Sequence, residues 1–134
     1  MTELLWYSDF YNFKKAGISI SGTPYWKMQH GPVPIKHDSL LSFLEDTLCV
    51  IDIEREVLIH ENLELTKHTV IAKESFDRSL FTERELYILK HIEEAFRAHG
   101  SVSISNRSHE EDGWLKTIEK EPISYSFAST LSLD

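Results

Sequence analysis

The sequence predicts an α+β fold: a mostly helical single domain over residues 1–134, with a small antiparallel β-hairpin or meander set against the helices. Three observations support this prediction. Residues 2–16 and 82–100 show helical patterns, and residues 50–72 alternate between apolar and polar side chains, which is typical of strands. The segment 22–34 holds three of the four prolines and two of the five glycines, which favours an ordered, non-helical connection.

Residues 2–16 are predicted to form the first helix, which Thr2 can cap and Gly17 can end. Apolar side chains cover most of its circumference, so we expect it to be covered on more than one side. Ile18 and Ile20 alternate with serines, which allows one short strand after this helix.

In the middle of the chain, the spacing of the apolar residues changes from helix-like to strand-like. Asp38 or Ser39 could cap a helix that runs to Leu48. Residues 50–72 follow as the predicted hairpin or meander, with a turn at residues 54–56 or 61–62.

The C-terminal part begins with a capping box, in which Thr82 stands three residues before Glu85. The helix that follows is predicted to end at Gly100. Ser101 could cap a second, short helix that Gly113 breaks. Residues 123–127 alternate and predict either a last strand or a packed helical turn.

One buried core is expected to join the ends of the chain to its middle. Its predicted members are large apolar side chains: Trp6, Phe10, Phe43, Leu44, Leu86, Leu89, Phe96 and Trp114.

The net charge is −8, with +2 on residues 1–37, −6 on residues 38–74 and −4 on residues 75–134. Acidic surfaces are poor ligands for phosphate backbones and suit basic protein partners. No apolar run is long enough to span a membrane, and the first residues lack the basic start and apolar core of a signal peptide, so we expect neither a membrane span nor a signal peptide. The lone Cys49 stands between apolar residues and is expected to be buried in a reducing compartment, so we predict a cytoplasmic protein.

Seven histidines raise the question of a metal or catalytic site. None of them forms a metal-binding motif, and no second cysteine is available, so we predict no metal and no cofactor. One enzymatic hypothesis is a small hydrolase or transferase that uses Asp9, His30 and His109.

A second hypothesis is a DNA-binding regulator. Residues 82–110, two helices around a glycine, have the outline of a helix-turn-helix. The second helix would offer Asn106 and Arg107 to DNA, but the carboxylates at 110–112 would face phosphates. These carboxylates argue against DNA binding.

Two blocks of the chain resemble the Panacea domain, the SocA-like antitoxin family that also includes phage-associated proteins. The first block runs from Leu4 to Pro34, and the second runs from Ser108 through Trp114 to Lys116. The residues that carry the resemblance as family motif are Trp6, Asp9, Phe10, Gly22, Tyr25, His30, Gly31, Pro32, Val33, Pro34, Ser108, His109, Glu110 and Trp114. Members are expected to have a further helix before Leu4, so either this chain is a shortened member or its fold lacks the usual first helix of the family.

The resemblance implies a non-enzymatic antitoxin of a type II toxin–antitoxin system, with no catalytic residues. Such a protein would neutralise a cognate protein toxin by direct binding, or act as an adapter that delivers the toxin to a protease. From the charge pattern, we expect the toxin to be basic and to contact Asp52, Glu54, Glu56 and Glu61. Its oligomeric state is left open.

The two motif blocks are also expected to meet in space. His30 and His109 would then lie at one shared seam, for which we favour a structural role over a catalytic one.

Overall fold

The computed structural model describes residues 2–134, which divide into two compact units. The first, called the helical unit, contains the chain up to Ile35 and from Arg78 to Asp134; the second, called the ribbon unit, is Lys36–Asp77. Helices and two small antiparallel sheets occur together, so the predicted α+β class is confirmed. The single domain over residues 1–134 stays a prediction.

The first helix, α1, spans Thr2–Ala16 and lies in the helical unit. Seven consecutive residues, 6–12, are buried, so the helix is covered on all sides, as its wide apolar arc indicates. Gly17 ends it with a φ of +76°, and its N–H donates to the carbonyl of Phe13 at 2.9 Å.

The proline-rich segment forms a hairpin. Strand β1, Tyr25–Met28, pairs antiparallel with β2, Gly31–Pro34. Residues 120–123 run along the other side of β1, where the N–H of Ile123 donates to the Tyr25 carbonyl at 2.7 Å. Strand β2 is therefore an edge strand, which is where prolines without an N–H are tolerated.

Helix α3 spans Glu83–Phe96 and begins with the predicted capping box. The Glu85 N–H donates to the Thr82 hydroxyl at 3.1 Å, and the Thr82 N–H donates to the Glu85 carboxylate at 2.8 Å. The helix ends at Phe96, four residues before the predicted end at Gly100.

Helix α4, Ser101–Ser108, is capped by Gly100 and not by Ser101. Gly113 does not break it, because Gly113 lies inside a further short helix, α5, Asp112–Leu115. A Cβ at Gly113 would lie 3.2 Å from the side chains of both Ile123 and Phe127, so glycine permits a close approach there. Of the two forms predicted for residues 123–127, the helical turn is found, as a 3₁₀ segment over Tyr125–Thr130.

The buried core lies entirely within the helical unit. It contains Trp6, Tyr7, Phe10, Tyr11, Tyr25, Ile88, Ile92, Phe96, Ile104, Ile123, Ala128, Leu131 and Leu133.

The predicted core is therefore wrong in part. Phe43 and Leu44 belong to the ribbon unit and join no buried cluster, and Phe43 is 48% exposed. Leu86, Leu89 and Trp114 are only half-buried. Helix α3 packs into the core through Ile88, Ile92 and Phe96, which are spaced four residues apart. These residues lie on a helix face next to the predicted face that contains Leu86 and Leu89.

The ribbon unit begins with helix α2, His37–Ser42, which continues as a π-helical turn over Phe43–Thr47. Strand β3, Ile51–His60, then pairs antiparallel with β4, Leu63–Ala72. Each strand has ten residues, and no residue of the ribbon unit is fully buried.

The turn of this second hairpin is Glu61-Asn62, with φ of +50° and +65°. Two left-handed residues in a two-residue loop are the signature of a type I′ turn, which matches the twist of the strands. The alternative turn at residues 54–56 is wrong, because these residues lie inside β3. Cys49 is exposed and not buried as expected, since the ribbon unit provides no core around it.

Candidate functional site

Asp9 organises the loop between α1 and β1. It is 3% exposed, and one carboxylate oxygen accepts the N–H groups of Ile20 and Ser21 at 2.9 and 2.7 Å. The other oxygen accepts the hydroxyls of Ser21 and Tyr25 at 2.5 and 2.6 Å. The short strand predicted at residues 18–20 is absent because the backbone there bonds to a side chain and not to another strand.

The carboxylate of Asp9 also affects two tyrosines. Burial raises the pKa of Tyr25 far above its ordinary value, and the negative charge of Asp9 adds to the effect. Burial and Asp9 together raise the pKa of Tyr125 to about 12. The Tyr125 hydroxyl donates to the carbonyl of Thr23 at 2.7 Å, so both phenols fix the loop in their neutral form.

Gly31 marks the contact between β2 and α4. Its φ is +140°, and a Cβ there would lie 3.0 Å from both the Glu3 carboxylate and the Ser108 hydroxyl. Ser108 is fully buried, and its hydroxyl donates to the Ser105 carbonyl at 2.7 Å. The Ser105 hydroxyl in turn donates to the carbonyl of His30.

The second motif block reaches the first through Trp114. Its indole N–H donates to the carbonyl of Met28 at 3.3 Å, and the Lys27 ammonium lies 4.0 Å from the centre of its ring. His109 stacks on the same indole, with ring centres 4.1 Å apart and an angle of 22° between the planes. The structure therefore brings the two motif blocks together in one seam.

The two histidines of this seam have different surroundings. His30 is exposed in the turn of the first hairpin and contributes its backbone carbonyl. The Nε2 atom of His109 is buried and has no hydrogen-bond partner within residues 2–134. Asp9 takes its hydrogen bonds from Ile20, Ser21 and Tyr25, so the structure shows no hydrogen-bonded set of Asp9, His30 and His109.

A small cavity of about 280 Å³ opens beside the seam. Lys27, Met28, Gln29, Trp114 and Glu119 line it. Across the part of the chain that the structure describes, no group of three or more His, Cys, Asp or Glu side chains could hold a metal ion. No helix within the same residues is long and apolar enough to cross a membrane.

Glu111 is a buried carboxylate of the second motif block that the list of site residues left out. It is 3% exposed and accepts the Tyr7 hydroxyl at 3.2 Å, as well as the N–H of Ser132 at 3.1 Å and the Ser132 hydroxyl. Burial and the Glu111 charge raise the pKa of Tyr7. The oxygens of Glu111 bond to Tyr7 and to the C-terminal segment inside the protein, so Glu111 is not one of the carboxylates that would face phosphates if the second helix lay against DNA.

All fourteen family-motif residues belong to the helical unit, and eight of them are buried. Buried are Trp6, Asp9, Phe10, Tyr25, Gly31, Pro32, Pro34 and Ser108. Half-buried are Val33, His109 and Trp114, while Gly22, His30 and Glu110 are exposed. Gly22 has a φ of +73° in the loop before β1, a conformation that glycine adopts at low cost.

The acidic residues chosen for partner binding lie in the ribbon unit. Asp52, Glu54 and Glu56 alternate along β3 and therefore point to one face, and Glu61 occupies the turn. All four are exposed, and Lys73 lies 4.0 Å from Asp52. Their role in binding stays a prediction.

The model of the SocA-like antitoxin family, the Panacea domain, matches residues 2–115. The chain belongs to this family. No curated protein matches the chain, and no solved structure matches it.

Proposed function

We propose that this protein is the antitoxin of a type II toxin–antitoxin system and neutralises a protein toxin by binding it directly, without catalysing a reaction. The observation that carries this proposal is the family match over residues 2–115. The family implies a protein toxin as the partner. Direct binding of the toxin and the type II classification are further parts of our proposal.

The geometry of the motif supports a structural role for it. Asp9, Gly31 and Ser108 are buried and have contacts within the helical unit. Residues in such positions cannot touch a partner unless the protein unfolds. We therefore place the toxin contact outside the buried residues of the motif.

The charge distribution favours the ribbon unit as the contact. Residues 36–77 contain ten acidic and four basic residues, a net charge of −6, whereas the remaining residues contain twelve and ten, a net charge of −2. A basic toxin would be steered to this unit, and steering of this kind weakens as salt screens the charges. Asp52, Glu54, Glu56 and Glu61 are the proposed contacts.

Co-expression tests the function directly. The product of the adjacent gene should inhibit growth alone and should lose this effect when the present chain is co-produced. If the product stays toxic in the presence of the folded chain, the antitoxin proposal fails. A toxin whose level falls only when a cellular protease is active would indicate delivery to that protease, whereas a stable toxin in a purified complex supports direct inhibition.

Charge reversal tests the location. Replacing Asp52, Glu54 and Glu56 by lysine should slow association with the toxin, and the association rate of the wild type should fall as salt rises. A matched control reverses three exposed carboxylates of the helical unit, Glu94, Glu119 and Glu121. Equal binding by the two triple variants would show that the toxin binds elsewhere.

A further inference from the structure

The distal end of the second hairpin is unusually apolar for an exposed ribbon. Residues 57–65, called the ribbon tip, contain five large apolar side chains that are between 43% and 78% exposed: Val57, Leu58, Ile59, Leu63 and Leu65. Strands of a two-stranded ribbon gain little stability from each other, and exposed apolar strands invite aggregation. A surface of this kind is typical of a site that a partner covers.

These side chains occupy both faces of the ribbon. Leu58 lies directly opposite Leu65, and both share a face with Leu63 because residues two apart point the same way. Val57 and Ile59 point to the other face by the same alternation. Closer to α2, the half-buried Ile51, Ile53 and Val70 mark the end of the ribbon that the chain itself partly covers.

A partner that covered only one face would leave the other apolar face in water. An apolar cleft that receives the tip from both sides would remove both faces from water at once. Covering both faces buries more apolar area than contact through one face, and this area stabilises the complex.

The charges around the tip indicate the chemistry of the cleft. Glu61 and Glu64 lie at the turn end, and Asp52, Glu54 and Glu56 line the stem of one face. Lys67, opposite Glu56, and Lys73, near Asp52, offset part of this charge. A second copy of the same acidic ribbon would bring like charges together, so the charges favour a cleft with a basic rim.

We propose that the ribbon tip inserts into an apolar cleft with a basic rim on the toxin. This inference rests on the proposed antitoxin function and identifies the element that makes the contact. The affinity comes from the apolar tip, and the acidic stem adds steering and orientation.

The test measures the dissociation constant for the purified product of the adjacent gene. Ile59→Thr should weaken binding about tenfold or more, since threonine keeps the strand propensity and removes apolar area. The matched control is Ile118→Thr in the helical unit, because Ile59 and Ile118 are 78% and 77% exposed. This control should bind like the wild type, and circular dichroism should show both variants folded.

A pair of neighbours distinguishes insertion from contact through one face. Val57→Thr and Leu58→Thr alter opposite faces, so insertion predicts that both weaken binding. If only one of the two variants weakens binding, the toxin contacts a single face and the proposed insertion is wrong. If Ile59→Thr and Leu58→Thr bind as tightly as Ile118→Thr, the ribbon tip is not the contact, and the antitoxin function stands.

Two further outcomes would also overturn the inference. A wild-type chain that does not bind the toxin removes the proposed function and the insertion together. A concentration-dependent dimer that disappears with Ile59→Thr would show that a second copy covers the tip.

Discussion

Asp9 is the residue on which the loop before β1 depends, and its replacement gives a specific prediction. In Asp9→Asn, one oxygen can still accept from Ile20 and Ser21, but the amide loses the charge that attracts the hydroxyls of Ser21 and Tyr25. We expect the free energy of unfolding to fall by about 1–3 kcal/mol. Urea denaturation measures this change.

The exposed Asp52→Asn serves as its control and should leave the unfolding free energy within about 0.5 kcal/mol of the wild type. The hydrolase hypothesis makes the opposite prediction for Asp9→Asn, namely a loss of turnover with unchanged stability. That result would contradict the structural role of Asp9.

The raised pKa values of three tyrosines predict that the protein loses stability at high pH. Folding raises the pKa of Tyr7, Tyr25 and Tyr125, for Tyr125 to about 12, so the folded state favours the neutral phenols. This stabilisation is complete below the unfolded-state pKa of about 10 and is lost as pH rises through the folded-state values.

The measurement is urea denaturation at several pH values, together with the phenolate absorbance of the folded protein. Tyr125→Phe should flatten the decline between about pH 10 and pH 12. Tyr87→Phe, at a position that is 68% exposed, controls for the loss of one tyrosine. A decline that is identical in both variants would remove Tyr125 from the explanation.

The importance of a single residue could be predicted where it follows from neighbouring residues in the sequence or from a family motif. The motif included Asp9 and Tyr25, but their hydrogen bond joins residues 16 positions apart and follows only from the folded loop. Glu111 is a clearer case, because its partners Tyr7 and Ser132 come from the two ends of the chain. Nothing in its neighbourhood distinguishes it from the exposed Glu110.

Among the elements, helix α3 gives a prediction from its capping box. Thr82→Ala removes the hydroxyl that accepts the Glu85 N–H, so we expect a loss of about 1 kcal/mol in unfolding free energy. Thr82→Ser keeps a hydroxyl and should lose less. Thermal denaturation of the two variants side by side measures the difference, and equal stability would show that the cap does not contribute.

The elements that the sequence predicted well are those with local causes. A capping box begins α3, a left-handed glycine ends α1, and a two-residue turn at residues 61–62 joins β3 to β4. The errors at residues 18–20 and in the buried face of α3 arise from long-range contacts. A backbone segment that bonds to a buried carboxylate has no period in the sequence to reveal it.

At the scale of the whole molecule, the two units differ in burial, and this predicts their exchange behaviour. The helical unit contains the entire core, while no residue of the ribbon unit is fully buried. Amide protons of β3 and β4 should therefore exchange faster than those in the middle of α1 and α3. Hydrogen exchange followed by mass spectrometry tests this, and equal protection in both units would contradict it.

Adding the toxin should slow exchange in β3 and β4 more than in α1, because the proposed contact lies in the ribbon. Protection confined to the helical unit would place the toxin there instead.

The prediction of a single domain also has a spectroscopic test. All three tryptophans lie in the helical unit, so tryptophan fluorescence reports that unit alone. Far-ultraviolet circular dichroism reports both units. A single domain requires the two thermal transitions to coincide.

Cys49 has a practical consequence for measurements of binding and of oligomeric state. It is the only cysteine of the chain, and it is exposed in the ribbon unit. A maleimide dye will therefore attach at one defined position, in the same unit as the ribbon tip, and its fluorescence anisotropy can follow complex formation. The same thiol can link two chains by air oxidation, so gel filtration needs a reducing agent before an apparent dimer is assigned to the fold.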